Sequence, residues 1–235
     1  DGLVGYAPDN GSSWATIHDA LTGNSFSFTG TQGAIAQSYE SASGSSWYNI
    51  RRGFLPFDTS SIPVGSTINS ATVSVYAVIV NDPDNDGDDW VNVVQTSQAS
   101  HFSLITADYD QGGAVSNPIE GATRIDLTNM TASAYNTWTL NATGLSWIKG
   151  AGQASNCSTT GGITCLGMRE GHDAINSAVA NNALNRLFID FSEQTGIATD
   201  PYLTVTYTVP TPPHLINSSW TDKFTDGLVL MQSFD

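Results

Sequence analysis

The sequence predicts an all-β protein: a two-sheet antiparallel β-sandwich of jelly-roll type with an extended C-terminal tail. Short runs of alternating apolar and polar residues recur along the chain, as in residues 67–80, where Val73, Val75 and Ala77 share one face. Gly, Ser, Thr and Asn separate these runs, and helix signals are sparse. The 235 residues are 40% apolar, which is enough for a substantial core.

The strands follow from this alternation in chain order. We expect them at 25–29, 51–57, 67–80, 91–95, 123–126, 137–140, 165–169, 186–192 and 201–209. A short amphipathic helix is predicted at 142–150, with Thr143 as its N-cap. Residues 173–183 fit either a second short helix or a long loop.

The chain divides into a β-sandwich module (1–209), a Pro-rich hinge (210–213) and a C-terminal tail (214–235). Three prolines in the hinge remove backbone donors and stiffen the chain, so the tail is not expected to extend the last strand. The tail is apolar again and needs a surface to cover it. Its candidate assembly residues are Leu228, Val229, Leu230, Met231 and Phe234.

The tail also repeats the opening of the chain, because Asp226-Gly227-Leu228-Val229 matches Asp1-Gly2-Leu3-Val4. One interpretation is that each tetrapeptide opens a module, so the tail begins a following laminin-G-like or concanavalin-like unit. Another is that the tail adds a strand to a neighbouring copy, giving head-to-tail filaments. A third is that it folds back on its own sandwich.

Composition restricts the partners. A formal charge of -15, with Lys149 and Lys223 as the two lysines, leaves no basic stripe for nucleic acid. No apolar run approaches the roughly 18 residues of a membrane span. The start at Asp1 fits a mature secreted protein after signal-peptide removal, or a trimmed chain. We therefore expect a secreted, extracellular or cell-surface protein.

Cys157 and Cys165 flank a short Ser/Thr/Gly segment that can fold back to join them. A disulfide there would indicate an oxidising compartment, and two free buried cysteines are the alternative. Zinc is not expected, because no paired Cys motif or nearby His accompanies them.

The densest chemical cluster is the acidic segment 82–89, which carries Asp82, Asp84, Asp86, Asp88 and Asp89. Carboxylates crowded into one turn repel one another, and a hard cation with oxygen ligands relieves that repulsion. The spacing opens like a calcium loop, but Val93 stands where an EF-hand has its bidentate Glu. The sequence thus favours either an irregular structural Ca²⁺ loop, to which Asp108 and Asp110 could contribute, or a solvated acidic hairpin tip.

Sugar binding would need exposed aromatic side chains beside polar groups. Trp47, Tyr48, Trp90 and Tyr109 form the candidate sugar platform, although large aromatics in sandwiches also serve as core packing. Catalytic motifs are absent from the sequence, and His172-Asp173 is the one compact polar group that resembles a site. A self-satisfied loop network explains that pair more simply, so no enzymatic activity is predicted.

Four segments resemble the DNRLRE family of extracellular β-sandwich modules, which overlaps a carbohydrate-binding module family. They are 51–63 (RRGFLPFDTSSIP), 68–76 (INSATVSVY), 138–148 (WTLNATGLSWI) and 200–205 (DPYLTV), and the resemblance covers roughly residues 1–209. It implies a binding or structural unit of a larger secreted protein and no catalytic residues. Arg51 and Arg52 lie on opposite faces of a strand, so one of them is expected to reach a carboxylate or carbonyls inside the sandwich.

These observations predict a non-enzymatic extracellular structural module that self-assembles head-to-tail into a filament through its tail. The alternative is a carbohydrate-binding or adhesion module of a larger secreted protein. The first predicts a homopolymer and the second a polysaccharide partner.

Overall fold

A computed structural model describes residues 1–8, 11–41, 47–179 and 182–210. Most regular structure is β. The strands are β1 (Gly2–Tyr6), β2 (Ser25–Ser27), β3 (Gln32–Ser41), β4 (Trp47–Asp58), β5 (Thr67–Asn81), β6 (Trp90–Gln95), β7 (Ile125–Asp126), β8 (Ala134–Thr139), β9 (Ile163–Glu170), β10 (Leu184–Asp190) and β11 (Tyr202–Thr208). The helices are α1 (Trp14–His18), α2 (Ala142–Ser146) and α3 (Gly171–Ile175), with 3₁₀ turns at Thr106–Gln111 and Leu127–Asn129.

Every strand pair is antiparallel, and the strands form one hydrogen-bonded network. The main path runs β11-β5-β10-β3-β4-β9-β6-β7, while β1 pairs with β2 and β4, and β8 pairs with β5. The predicted all-β antiparallel fold class is therefore confirmed.

Two long strands bend this network into a nearly closed, sandwich-like body. Along one edge, residues Trp47–Arg52 of β4 pair with β3, and residues Gly53–Asp58 of the same strand pair with β9. Strand β5 changes partners in the same way, from β11 at Thr67–Ser74 to β10 at Ala77–Asn81. Strands that pass between partners in this way turn the corners of a folded sheet.

The core confirms the alternation read from β5, because Val73, Val75 and Ala77 are all buried. They belong to a cluster that includes Leu55 and Trp138. The Trp138 indole N–H donates to the Val91 carbonyl at 3.1 Å, so this large side chain is buried with its polar atom satisfied. Strand β9 is buried along its whole length and thus lies inside the body.

One local prediction needed correction, and one alternative is decided. Asn141, not Thr143, caps α2, because its side chain accepts from the Gly144 N–H at 3.0 Å. For segment 173–183 the sequence left a short helix and a long loop open: the short helix α3 begins earlier, at Gly171, and ends at Ile175, with Asn176 in a left-handed conformation as its C-cap. The predicted strands all have counterparts, but β1 and β3 were not anticipated.

Cys157 and Cys165 form the expected disulfide, with their Cα atoms 6.0 Å apart. In the described ranges, no helix combines the length and apolar character that crossing a membrane requires. The hinge from residue 211 onward and the tail, with Leu228, Val229, Leu230, Met231 and Phe234, lie outside the described residues.

Candidate metal centre

The acidic segment forms the loop between β5 and β6, and its own aspartates hold its shape. Asp82 accepts from the Asn85 N–H at 2.9 Å, and Asp86 accepts from the Asp88 N–H at 3.0 Å. Asn85 and Gly87 have φ angles of 43° and 97°, which tighten the turn. These contacts bring five carboxylates into one short loop.

Asp89 is the buried end of this loop. One of its oxygens, Oδ2, accepts from the Asp86 N–H at 2.7 Å and from the Gly87 N–H at 3.3 Å. The other oxygen, Oδ1, is buried and accepts no hydrogen bond from the residues that the structure describes, and it lies 3.8 Å from Nδ1 of His172. Burial and the neighbouring Asp84 and Asp82 carboxylates raise the pKa of Asp89 to about 7.

The same loop contains further carboxylate oxygens that are buried without a hydrogen bond from the described residues. Both oxygens of Asp84 and Oδ2 of Asp82 are shielded from solvent, and within the described residues none of them accepts a hydrogen bond. Burial, with Asp126 and Asp84 nearby, raises the pKa of Asp82. Anionic oxygens deprived of both water and donors are costly unless a cation compensates them.

A histidine from a different part of the chain completes the cluster. His172 lies in α3, directly after β9, and is fully buried. Glu170, the N-cap of α3, accepts from the His172 backbone N–H at 3.1 Å and lies 2.9 Å from the ring Nδ1. The other ring nitrogen, Nε2, lies 3.4 Å from Asp86 Oδ2.

The electrostatics of His172 follow from these contacts. Burial opposes its charged form, but Glu170, together with Asp86 and Asp89, outweighs that effect and raises the pKa of His172 to about 9. Burial also raises the pKa of Glu170.

Two overlapping sets of side chains place ligand atoms within 4.8 Å of one another: Asp84, Asp89 and His172, and Asp86, Asp88 and His172. The first set is the more buried, and three of its carboxylate oxygens accept no hydrogen bond from the described residues; such oxygens are the ligands that Ca²⁺ prefers. Both sets include the His172 imidazole, whose Nδ1 lies 2.9 Å from a Glu170 carboxylate oxygen, an arrangement typical of histidine metal ligands. Four of the five predicted aspartates, Asp84, Asp86, Asp88 and Asp89, thus share these sets with His172, and Asp82 belongs to neither.

His172 was missed as a partner of the acidic loop because the two segments are far apart in sequence. The connection is made by sheet pairing, since Val91 of β6 pairs with Glu170 of β9 and places α3 beside the loop. Gly171 allows this approach, because a Cβ atom there would collide with the Asp88 carbonyl and come 2.8 Å from the Trp90 ring. Asp108 does not contribute as a ligand, because its carboxylate instead accepts from the backbone of Ala99 and Ile105.

The opposite side of α3 carries a buried ion network. Asp173 pairs with Arg52 at 2.8 Å and with Arg169 at 2.6 Å, and all three side chains are buried. Arg52 also donates to the carbonyls of Tyr109 and His18. Arg52 is thus the arginine that reaches a carboxylate inside the body, as expected. The two guanidinium groups outweigh the effect of burial and hold the pKa of Asp173 well below its usual range.

The predicted sugar platform is wrong as a single surface. Trp90 and Tyr109 are only 4% and 0% exposed. Trp90 is covered by Arg124, whose guanidinium lies 3.6 Å from the ring centroid, and Tyr109 packs against Arg52. The half-buried Trp47 and Tyr48 are successive β4 residues and pack edge-on against different aromatics, Tyr39 and Trp14.

Searches of the chain against protein-family models, curated proteins and solved structures found no match. The resemblance to DNRLRE modules stays a prediction.

Proposed function

We propose that the protein is a non-enzymatic structural module of the extracellular space, which uses Ca²⁺ to fix the 82–89 loop against α3. The observation that carries this proposal is the set of buried carboxylate oxygens on Asp82, Asp84 and Asp89 that accept no hydrogen bond from the described residues. A hard dication would satisfy these oxygens and offset the mutual repulsion of the five aspartates.

An extracellular setting supports this assignment. The Cys157–Cys165 disulfide is of the kind that persists in oxidising compartments. Extracellular modules bind Ca²⁺ with dissociation constants of about 10⁻⁴–10⁻³ M, so an exposed loop with incomplete protein ligation can still be occupied there. The acidic net charge of -15 also favours cation binding over binding to anionic polymers.

Thermal unfolding of chelator-treated protein with and without added Ca²⁺ tests the proposal. At a free Ca²⁺ concentration near 100 times the dissociation constant, linkage gives about 2.7 kcal/mol of added stability. For a chain of this size that corresponds to a Tm increase of about 5–11 °C. Calorimetric titration should find one site, and Asp84→Asn should abolish both effects. Asp58→Asn, an exposed carboxylate outside the loop, is the matched control.

The identity of the metal is tested with His172→Gln. An oxygen-liganded Ca²⁺ site should survive this substitution with a modest loss of affinity, because the carboxylates remain. A Zn²⁺ site built on Asp86, Asp88 and His172 should lose most of its affinity. Tight binding of Zn²⁺ with no response to Ca²⁺ would overturn the calcium assignment.

A second candidate function is head-to-tail assembly, which one observation favours. Leu3 and Val4 of β1 are buried, and β1 lies between β2 and β4. The same tetrapeptide recurs at 226–229, so the tail has a segment with the side chains of a buried strand. Because each copy's own β1 fills its place, the added strand would pair at the end of the sheet, beside β11 of a neighbouring copy.

Negative-stain electron microscopy of the full chain tests assembly, with truncation after Pro213 and Val229→Asp as disrupting variants. Ser219→Asp is the control for added charge in the tail. Filaments that vanish with both disrupting variants and persist in the control would support strand addition. Monodisperse particles from the full chain would refute it.

A further inference from the structure

Two arginines lie in one row across three neighbouring strands of the sheet. Residue pairing aligns Arg51 of β4 with Gln37 of β3, and Gln37 with Arg186 of β10. Directly paired residues of antiparallel strands share a face, so all three side chains lie on one side of the sheet. The next residue of β10, Leu187, points to the opposite side and belongs to the main core. The row therefore faces away from that core.

The strand spacing brings the two guanidinium groups within reach of one point. Neighbouring strands lie about 4.8 Å apart, so the Cα atoms of Arg51 and Arg186 are about 10 Å apart, with Gln37 between them. Each arginine side chain is long enough to cross half of this gap. Both arginines are half-buried, and Gln37 is only 3% exposed, as expected where long side chains flank and cover it. The two positive groups thus lie on either side of a glutamine that they shield.

Neither of these arginines makes an ion pair with a carboxylate of the described residues. The other three arginines of the chain do: Arg52 and Arg169 bind Asp173, and Arg124 binds Glu120. The chain has 22 acidic residues against seven basic ones, so carboxylates are plentiful. Half-buried arginines usually pair with one when it is available. The missing partner at this row is the feature that points to a ligand.

The contacts of Arg186 position its guanidinium and leave most of its donors unused. Its Nε donates to Asn81 Oδ1 at 2.7 Å, and its guanidinium lies 5.5 Å from the centroid of the Phe188 ring. The four hydrogens on its two Nη atoms have no acceptor among the described residues. Burial and the nearby charge of Arg186 lower the pKa of Arg51, so the two groups repel each other. An anion between them would remove this repulsion and accept from both.

We propose that Arg51 and Arg186 bind a small oxyanion of charge −2, a phosphate or sulfate group, over Gln37. Two positive charges match a dianion, and the planar guanidinium forks can each donate two hydrogen bonds to its oxygens. A small anion is favoured over a long polyanion, because the net charge of -15 repels every further negative charge. This site is separate from the candidate metal centre and takes a ligand of opposite charge.

Calorimetric titration of the chelator-treated full chain with sodium phosphate or sodium sulfate, at constant ionic strength, tests the proposal. We expect one site for each anion. At about ten times the dissociation constant, the anion should raise Tm by about 3–6 °C for a chain of this size. Arg51→Gln and Arg186→Gln should each weaken binding about tenfold or more, because each removes charge-assisted hydrogen bonds. Arg186→Lys keeps the charge without the fork and should weaken binding less than Arg186→Gln.

Stability without the anion separates a ligand site from a structural role. Because Arg51 has no acidic partner in the described residues, Arg51→Gln should leave Tm unchanged or raise it in anion-free buffer. A large decrease in Tm would show that the Arg51 charge is needed for folding and would overturn the proposal. Arg124→Gln is the matched control, since it removes the same charge elsewhere and should leave anion binding unchanged.

Asp84→Asn separates this site from the proposed Ca²⁺ site, because it should remove the Ca²⁺ response and leave anion binding unchanged. Phenyl phosphate distinguishes the two sources of the ligand. Tighter binding than inorganic phosphate would support the phosphate group of an organic molecule, packed beside Phe188, and equal binding would support the free ion. No saturable binding of either anion would overturn the proposal. A rise in Tm that persists in both glutamine variants would also overturn it, because it would be general stabilisation by these salts.

Discussion

Replacing Asp173 with Asn tests whether the buried ion network holds the fold together. The Asp173 carboxylate accepts from Arg52 Nε at 3.0 Å and Nη2 at 2.8 Å, and from Arg169 Nε at 2.6 Å. Asparagine keeps the shape of the side chain but removes the charge and one acceptor. Two guanidinium groups would then be buried with no anion between them.

Removal of one partner from a buried ion pair costs about 3–5 kcal/mol, because the remaining charge stays buried without compensation. Asp173→Asn should therefore lower the free energy of unfolding by that amount and lower Tm by about 6–20 °C for a chain of this size. Urea unfolding followed by circular dichroism and tryptophan fluorescence measures it. The exposed Asp58→Asn change is the control and should stay within about 0.5 kcal/mol of the parent.

The pH dependence gives an independent check. The pKa of Asp173 is lowered in the folded state, so its contribution is fully present above the unfolded pKa of about 3.9 and is lost as pH falls through the folded value. The difference in stability between parent and Asp173→Asn should be constant from about pH 5 upward and shrink only below about pH 4. A loss under about 1 kcal/mol at pH 7, or a difference that disappears between pH 5 and 7, would refute the reasoning.

Three further predictions concern single local features. The double change Cys157→Ser and Cys165→Ser should lower the free energy of unfolding by about 2–3 kcal/mol in chemical denaturation, and a loss below about 1 kcal/mol would contradict the loop-entropy argument. Asn141→Ala should lower the free energy of unfolding by about 1 kcal/mol, because it removes the cap of α2. Asn141→Ser, which can still cap the helix, should retain most of that stability. Gly171→Ala should lower the free energy of unfolding by about 1–3 kcal/mol, because the added Cβ would push the 82–89 loop away from α3. The same change should weaken Ca²⁺ binding in titrations. Unchanged affinity would argue against the contact between Gly171 and the loop.

The sequence predicted the strands wherever one face is apolar and the other polar. Alternation is clear in β5 and β11, and both lie where it placed them. Strand β3 escaped because its buried positions include Gln37 and Ser38, which interrupt the apolar pattern although they are inside the protein. In β3 these buried polar residues hide the period-two pattern.

The candidate site was predictable only in part. Crowded aspartates are visible as composition, so segment 82–89 could be identified without a structure. His172 could not be assigned to it, because its position depends on the pairing of β6 with β9.

The burial of Trp90 and Tyr109 could not be predicted either, because it depends on which side chains pack against the two rings. Each ring lies against an arginine, and aromatic faces attract guanidinium groups most strongly where water is excluded. Sequence marks such residues as aromatic and therefore as candidates for sugar stacking, but it does not show which rings are already covered.

Helix α3 connects the candidate metal centre to the buried ion network. His172 faces the acidic loop, and Asp173, the next residue, binds Arg52 and Arg169 on the other side. Through these arginines the helix is tied to β4, one of the two strands on which the sheet turns, and to β9. A cation bound at the loop would therefore stabilise an element already anchored in the core, and its effect should appear in global unfolding rather than in loop order alone.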